Sequence, residues 1–183
     1  GLKVKEEGTI ALYGKMEITA CGNGIYHKGK AIGNGLGENI LIHDNDKNGI
    51  LMKEDAKFSN IGAKLYKNAQ NGISTESSSY IENFCGKAYE NGSHGISNNG
   101  TITTLRGTVN DNGKCGLYNE GYVQDGDFSS LRNLESGINN IGFIILNGGI
   151  IKKNSKDGIL NAGVFSLLDG NVEENVKNGI VYF

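Results

Sequence analysis

Gly-Ile and Gly-Leu pairs recur in register along the chain, and their spacing limits the possible folds more than any other feature. They stand at Gly1-Leu2, Gly24-Ile25, Gly49-Ile50, Gly72-Ile73, Gly95-Ile96, Gly116-Leu117, Gly137-Ile138, Gly158-Ile159 and Gly179-Ile180. The steps between them are 23, 25, 23 and 23 residues, then 21 throughout. A second series keeps the same phase: Asn45, Asn68, Asn91, Asn112, Asn133, Asn154 and Asn175 each lie four residues before a glycine of the first. Two locked series mark an internal repeat, and a period of this length belongs to a solenoid.

Within the coils, apolar residues alternate with polar or small ones over short runs, which is strand periodicity. No stretch carries a capped 3.6-residue apolar period. Each regular coil carries three or four glycines, at a helix cost of about 1 kcal/mol each. Leucine-rich repeats have a similar length but need several leucines in every repeat, where the coils here have from none to three. A 21-residue period divides into three short strands and three turns. The expected fold is therefore all-β: a right-handed parallel β-helix of about eight coils of 21–25 residues. Residues 1–183 form one domain, with longer coils over 1–94 and regular ones over 95–183. Its inner column should run Leu2, Ile25, Ile50, Ile73, Ile96, Leu117, Ile138, Ile159, Ile180, stacked about 4.8 Å apart. Full burial of each is worth roughly 1.5–3 kcal/mol.

The asparagines have a physical reason as well. A tight turn needs a residue that tolerates left-handed backbone, and asparagine does. Its amide both donates and accepts, so stacked asparagines can bond the turn or one another along the axis. The structural ladder is thus expected at Asn45, Asn68, Asn91, Asn112, Asn133, Asn154 and Asn175, with a shorter one at Asn98, Asn119, Asn140 and Asn161. In three regular coils a glycine (Gly107, Gly149, Gly170) precedes a second apolar residue; the coil 116–136 departs, with Phe128 and Ser130. Insertions in the longer coils map to turns, the longest near Ala31–Glu38, so any binding site is sought first on the N-terminal half.

These columns resemble the pectin-lyase-like right-handed parallel β-helix superfamily over the whole chain. Segments such as Gly95-Ile-Ser-Asn-Asn-Gly-Thr-Ile102 are similar to adhesin and autotransporter-passenger repeats. The superfamily also includes polysaccharide lyases and hydrolases, so the likeness specifies fold more than function. Its enzymes imply clustered acidic residues on one face, with calcium and a basic residue, or several aspartates with Gly-His-Gly.

Against that implication, His94 sits in a column otherwise filled by Asn48, Asn71, Cys115, Ser136, Asp157 and Asn178, and the residues one coil earlier are Ala69-Gln70-Asn71. The acidic pairs Asp44/Asp46, Glu54/Asp55 and Asp125/Asp127 fall at different phases and are expected on different faces. The glycine-rich run Gly33–Gly37 lacks the Lys-Ser/Thr of a phosphate loop. The sequons Asn91-Gly-Ser93 and Asn99-Gly-Thr101 matter only in a eukaryotic secretory route. No catalytic residue, cofactor or metal is assigned. The strand following Asn-x-Gly reads apolar to neutral, which suits protein or sugar contact better than acid–base chemistry.

A net charge of −2 with only two arginines, Arg106 and Arg132, gives no electrostatic footprint for nucleic acid. No apolar run is long enough for a membrane span. Cys21, Cys85 and Cys115 are too few and too odd for a disulfide framework. The chain starts and stops in the same coil phase, which suggests end-to-end self-association or a longer solenoid. The resulting expectation is a non-catalytic extracellular or cell-surface protein, adhesin-like or fibre-forming, contacting a glycan or a host-surface protein. The alternative is a carbohydrate-binding or polysaccharide-degrading β-helix.

Overall fold

Three-residue strands with inward aliphatics cannot close a core alone, and in this chain they do so by stacking. The computed structural model describes residues 1–28 and 32–183 and is a parallel β-solenoid of about eight coils, without a helix among the described residues. Each coil contributes to three faces. The first face is a nine-stranded parallel sheet running from Leu2–Val4 through Ile96–Asn98 to Ile180–Tyr182. The second runs from Ile10–Leu12 through Lys57–Ile61 and Thr101–Leu105 to Val164–Leu167. The third runs from Met16–Ile18 through Lys64–Tyr66 and Thr108–Asn110 to Asn171–Glu173. The long strands Tyr122–Leu131 and Phe143–Lys152 turn the corner between these two faces without a break.

The inner column has the expected register. Leu2 pairs with Ile25, Ile25 with Ile50, and so on through Ile73, Ile96, Leu117, Ile138 and Ile159 to Ile180. Every member from Ile25 to Ile159 is fully buried. Parallel columns fill the other faces, including Phe58, Ile81, Ile102, Val123 and Ile144 on the second and Ile42, Leu65, Ala88, Val109 and Ile151 on the third.

The turn chemistry differs in one respect from expectation. The left-handed residue is not the ladder asparagine but the one before it: Asp44, Lys67, Glu90, Asp111, Arg132, Lys153 and Glu174 have φ between 50° and 58°. The reason is geometric. The asparagine must aim its amide into the core, so the backbone reversal falls one residue earlier, where any side chain can point to solvent. Ala20 takes that place in the first coil at φ 53°, and there Cys21 stands at the ladder position, its N–H donating to Asn45 Oδ1.

Register also locates the insertions. From Thr75 to Tyr80 is five positions, but between their partners Asn98 and Thr101 it is three. Two residues are therefore added in the first turn of the coil that starts at Gly72, and likewise from Met52 to Lys57. The coil starting at Gly24 carries two more between Leu36 and Leu41, because their partners Ile61 and Lys64 are three apart. The other part of the Ala31–Glu38 expectation touches residues 29–31, which lie outside the described residues.

The departing coil is explained by packing. Phe128 stands in the column of Gly107 and Gly149, and its buried ring packs beside Gly126, where an added Cβ would lie 3.5 Å from it and which is the register partner of Leu105 on the coil before. Ser130 replaces an aliphatic of the third-face column. Its hydroxyl donates to Gly137 O at 2.8 Å and accepts from Asn133 Nδ2 at 3.1 Å, so burial costs it no hydrogen bond.

Candidate functional site

The first six asparagines of the main ladder share one set of contacts and Asn175 closes the series, donating to Ile151 O and Glu173 O; these contacts are structural. Each Nδ2 donates to the next Oδ1 from Asn45–Asn68 to Asn154–Asn175, at 2.8–3.1 Å. Each backbone N–H donates to that same oxygen, at 3.0–3.4 Å. Most also donate Nδ2 to a main-chain carbonyl on the coil before, as Asn112 does to Ala88 O at 3.1 Å. The shorter ladder stacks through the side-chain amides alone, Nδ2 to the next Oδ1, along Asn98, Asn119, Asn140 and Asn161 at 2.7–2.8 Å. Thr75 begins it, donating its hydroxyl to Asn98 Oδ1 at 2.8 Å.

A third ladder lines the outside of the turn and runs with opposite polarity. Asn48 N donates back to Asn23 Oδ1, Asn71 N to Asn48 Oδ1 and His94 N to Asn71 Oδ1, at 3.0–3.2 Å. His94 continues it, because its Nδ1 accepts the N–H of Cys115 at 3.2 Å. Acceptance there places the ring proton on Nε2. Burial first, then the Lys114 ammonium, lowers the His94 pKa from 6.5 to about 4, against Glu135. The ring also stacks on Tyr118, with centroids 5.0 Å apart. Burial, then Glu135, pushes the Cys115 thiol up to about 12. This pair is an inert rung: the imidazole stays neutral and the thiol stays protonated at neutral pH. Asp157 and Asn178 resume the pattern, with Asn178 N and Nδ2 donating to Asp157 Oδ1 at 3.2 and 2.7 Å.

The acidic candidates do not converge. Asp44 contacts His43 Nδ1 at 2.5 Å on the third face. Glu54 lies 3.9 Å from Lys28 at a first turn. Asp125 is held by Arg106 and by Asn147, and these donors lower its pKa, Arg106 most. Of the sequons, Asn91 is buried in the ladder while Asn99 is exposed. Among the described residues, no three or more His, Cys, Asp or Glu side chains are grouped to hold a metal, and no helix could cross a membrane.

One surface feature escaped the sequence reading. His43 bridges the first two coils, with Nε2 2.6 Å from Glu17 Oε1. It then stacks on Tyr66, and Tyr66 on Tyr89, at centroid distances of 4.5 and 5.0 Å and angles of 14° and 8°. The signal was present: residues 43, 66 and 89 each precede a ladder asparagine by two. The outer side of the second face, expected to be apolar to neutral, carries Tyr122, 58% exposed beside Phe143, with Val164 following in the same column. No protein-family model, no curated protein and no solved structure matches the chain.

Proposed function

We propose that the protein is a non-catalytic surface or structural β-solenoid, adhesin-like or fibre-forming, exposed outside the cell. The observation that supports this reading best is the use of its buried polar groups. The asparagines, Thr75, Ser130, His94 and Asp157 are engaged along the axis or with the turn backbone, so they stiffen a rod. The carboxylates that could have formed an acid–base pair are separated and individually engaged.

Kinship with the pectin-lyase-like superfamily is part of this proposal, supported by three-faced parallel coils, aliphatic columns and asparagine ladders. The partner class is a glycan or a host-surface protein, met through the apolar to neutral outer side of the second face. End-to-end self-association through the sheet-edge strands Leu2–Val4 and Ile180–Tyr182 belongs to the same reading. The second reading, a carbohydrate-binding β-helix, is favoured by the exposed Tyr122–Phe143 ring pair, since such rings can receive a sugar's apolar face.

The test has two readouts. Intact producing cells are treated with a protease, and the purified protein is incubated with neutral and acidic polysaccharides. Loss of the protein from intact cells together with no new chain ends in the polysaccharide is the expected result. Protection from the protease, or release of oligosaccharides that scales with protein, would overturn the reading.

A further inference from the structure

The aromatic column on the third face ends abruptly. His43, Tyr66 and Tyr89 stack on consecutive coils, but the register partner of Tyr89 on the next coil is Asn110. Asn110 cannot continue the stack, and its side-chain oxygen accepts the Leu131 N–H at 3.0 Å. One side of Tyr89 is covered by Tyr66. On the other a groove of about 360 Å³ opens, lined by Lys64, Lys87, Tyr89, Thr108, Asn110 and Asp111.

The charge in this groove is unbalanced. Lys64 and Lys87 are register partners, so their stems lie about 4.8 Å apart on adjacent strands. Among the described residues neither has an ion pair, as holds also for Lys3, Lys5, Lys15, Lys47, Lys57, Lys67, Lys114 and Lys177; what sets these two apart is their place side by side on adjacent strands. The carboxylate of the lining, Asp111, is taken by Arg132 through both oxygens at 2.7 Å. Burial first, then Tyr66 and Glu90, raises the Tyr89 pKa, so its hydroxyl remains a neutral donor at physiological pH. Thr108 and Asn110 add polar contacts at the rim.

We propose that this groove binds a planar aromatic ring bearing an anionic group, the ring extending the stack over Tyr89 and the anion meeting the ammonium groups of Lys87 and, one strand further along the axis, Lys64. A flat ring fits because the existing rungs are nearly parallel and 4.5–5.0 Å apart, the geometry of offset aromatic stacking. The anion fits because two ammonium groups held on adjacent strands repel until a negative charge approaches their tips. The anionic group can be a carboxylate on an aryl acid or the phosphate or sulfate of a modified tyrosine, which share this chemistry. The inference does not rest on the function proposed above.

The test is an NMR titration of the full chain with benzoate, phenyl phosphate and phenyl sulfate. Controls are cyclohexanecarboxylate, benzamide and glucuronate. Saturable shifts centred on Tyr89, with a Kd on the order of 1 mM, are expected for the aromatic anions only. The strongest of the three identifies the source: benzoate an aryl acid, the other two a modified tyrosine. Lys64→Gln and Lys87→Gln should each weaken binding about fivefold, and added salt should weaken it further. Asn110→Tyr should abolish binding while leaving the remaining spectrum folded, because its ring occupies the rung itself. Equal binding of cyclohexanecarboxylate or glucuronate, undiminished binding by folded Asn110→Tyr, or no saturable shift up to about 20 mM benzoate overturns the proposal.

Discussion

Asn133 Oδ1 receives two hydrogen bonds from Asn112, one from its backbone N–H and one from its side-chain Nδ2, both at 3.0 Å. One oxygen thus satisfies a buried turn donor and a buried amide together. Repetition from Asn45 to Asn175 makes the turn the most uniform part of the solenoid. The charged residues before each rung vary freely because they project to solvent.

Asn133→Leu leaves the Asn112 backbone N–H and one of its two Nδ2 protons buried without an acceptor, and also removes the side-chain donations to Val109 O and Asn154. The expected loss is about 3 kcal/mol in urea unfolding, since orphaned buried donors cost more than the net value of a bond. Asn175→Ala, at the half-buried last rung, should cost about 1 kcal/mol or less. Equal costs at the two positions would contradict the ladder's role.

Glycine matters where the coils touch. A Cβ at Gly116 would lie 2.8 Å from Val109 O and 2.9 Å from Asn133 Nδ2, while one at Gly22 meets nothing within 4 Å. Gly116→Ala should therefore lose about 3 kcal/mol or fail to fold, and Gly22→Ala should stay within about 0.5 kcal/mol of the parent. Thermal melts of the two variants check this directly.

The cysteines should separate by reactivity. Cys85 is exposed, whereas Cys115 is buried with its thiol held protonated up to about pH 12. Iodoacetamide at pH 8 should label Cys85 within minutes and leave Cys115 unlabelled until urea is added. Mass spectrometry of the native protein showing rapid labelling at Cys115 would refute the packing of that rung.

His94 gives a pH dependence with a defined sign. Unfolded, it takes up its proton near pH 6.5; folded, only near pH 4. Between those values the unfolded state binds more protons, so stability is full above about pH 6.5 and declines as pH falls towards 4. His94→Asn supplies the Oδ1 that Asn71 and Asn48 use in the same column, and it should flatten this part of the stability profile. An unchanged slope in the variant would assign it elsewhere.

The coil count, the inner column and both inward asparagine ladders were legible because each repeats with the coil period. Column identity needs only one coordinate along the sequence. What repeated less was read less well. Turn propensity favours the asparagine for the left-handed position, but the amide's inward role moves the bend to Asp44, Lys67 and their equivalents. The His43–Tyr66–Tyr89 stack occupies three coils only, and seeing it required following every column rather than the invariant ones. His94 was rightly placed among the asparagines of its column, but the opposite polarity of that ladder depends on which atoms donate, which spacing does not encode.

Axial stacking of like side chains is tested most directly by methyl NOE spectroscopy on protein labelled at isoleucine and leucine. Methyl contacts linking Ile96 to Leu117, Leu117 to Ile138 and Ile138 to Ile159 are predicted, each between residues 21 apart in sequence. Their absence from a folded, fully assigned spectrum, or their replacement by contacts three and four residues apart, would contradict the solenoid outright.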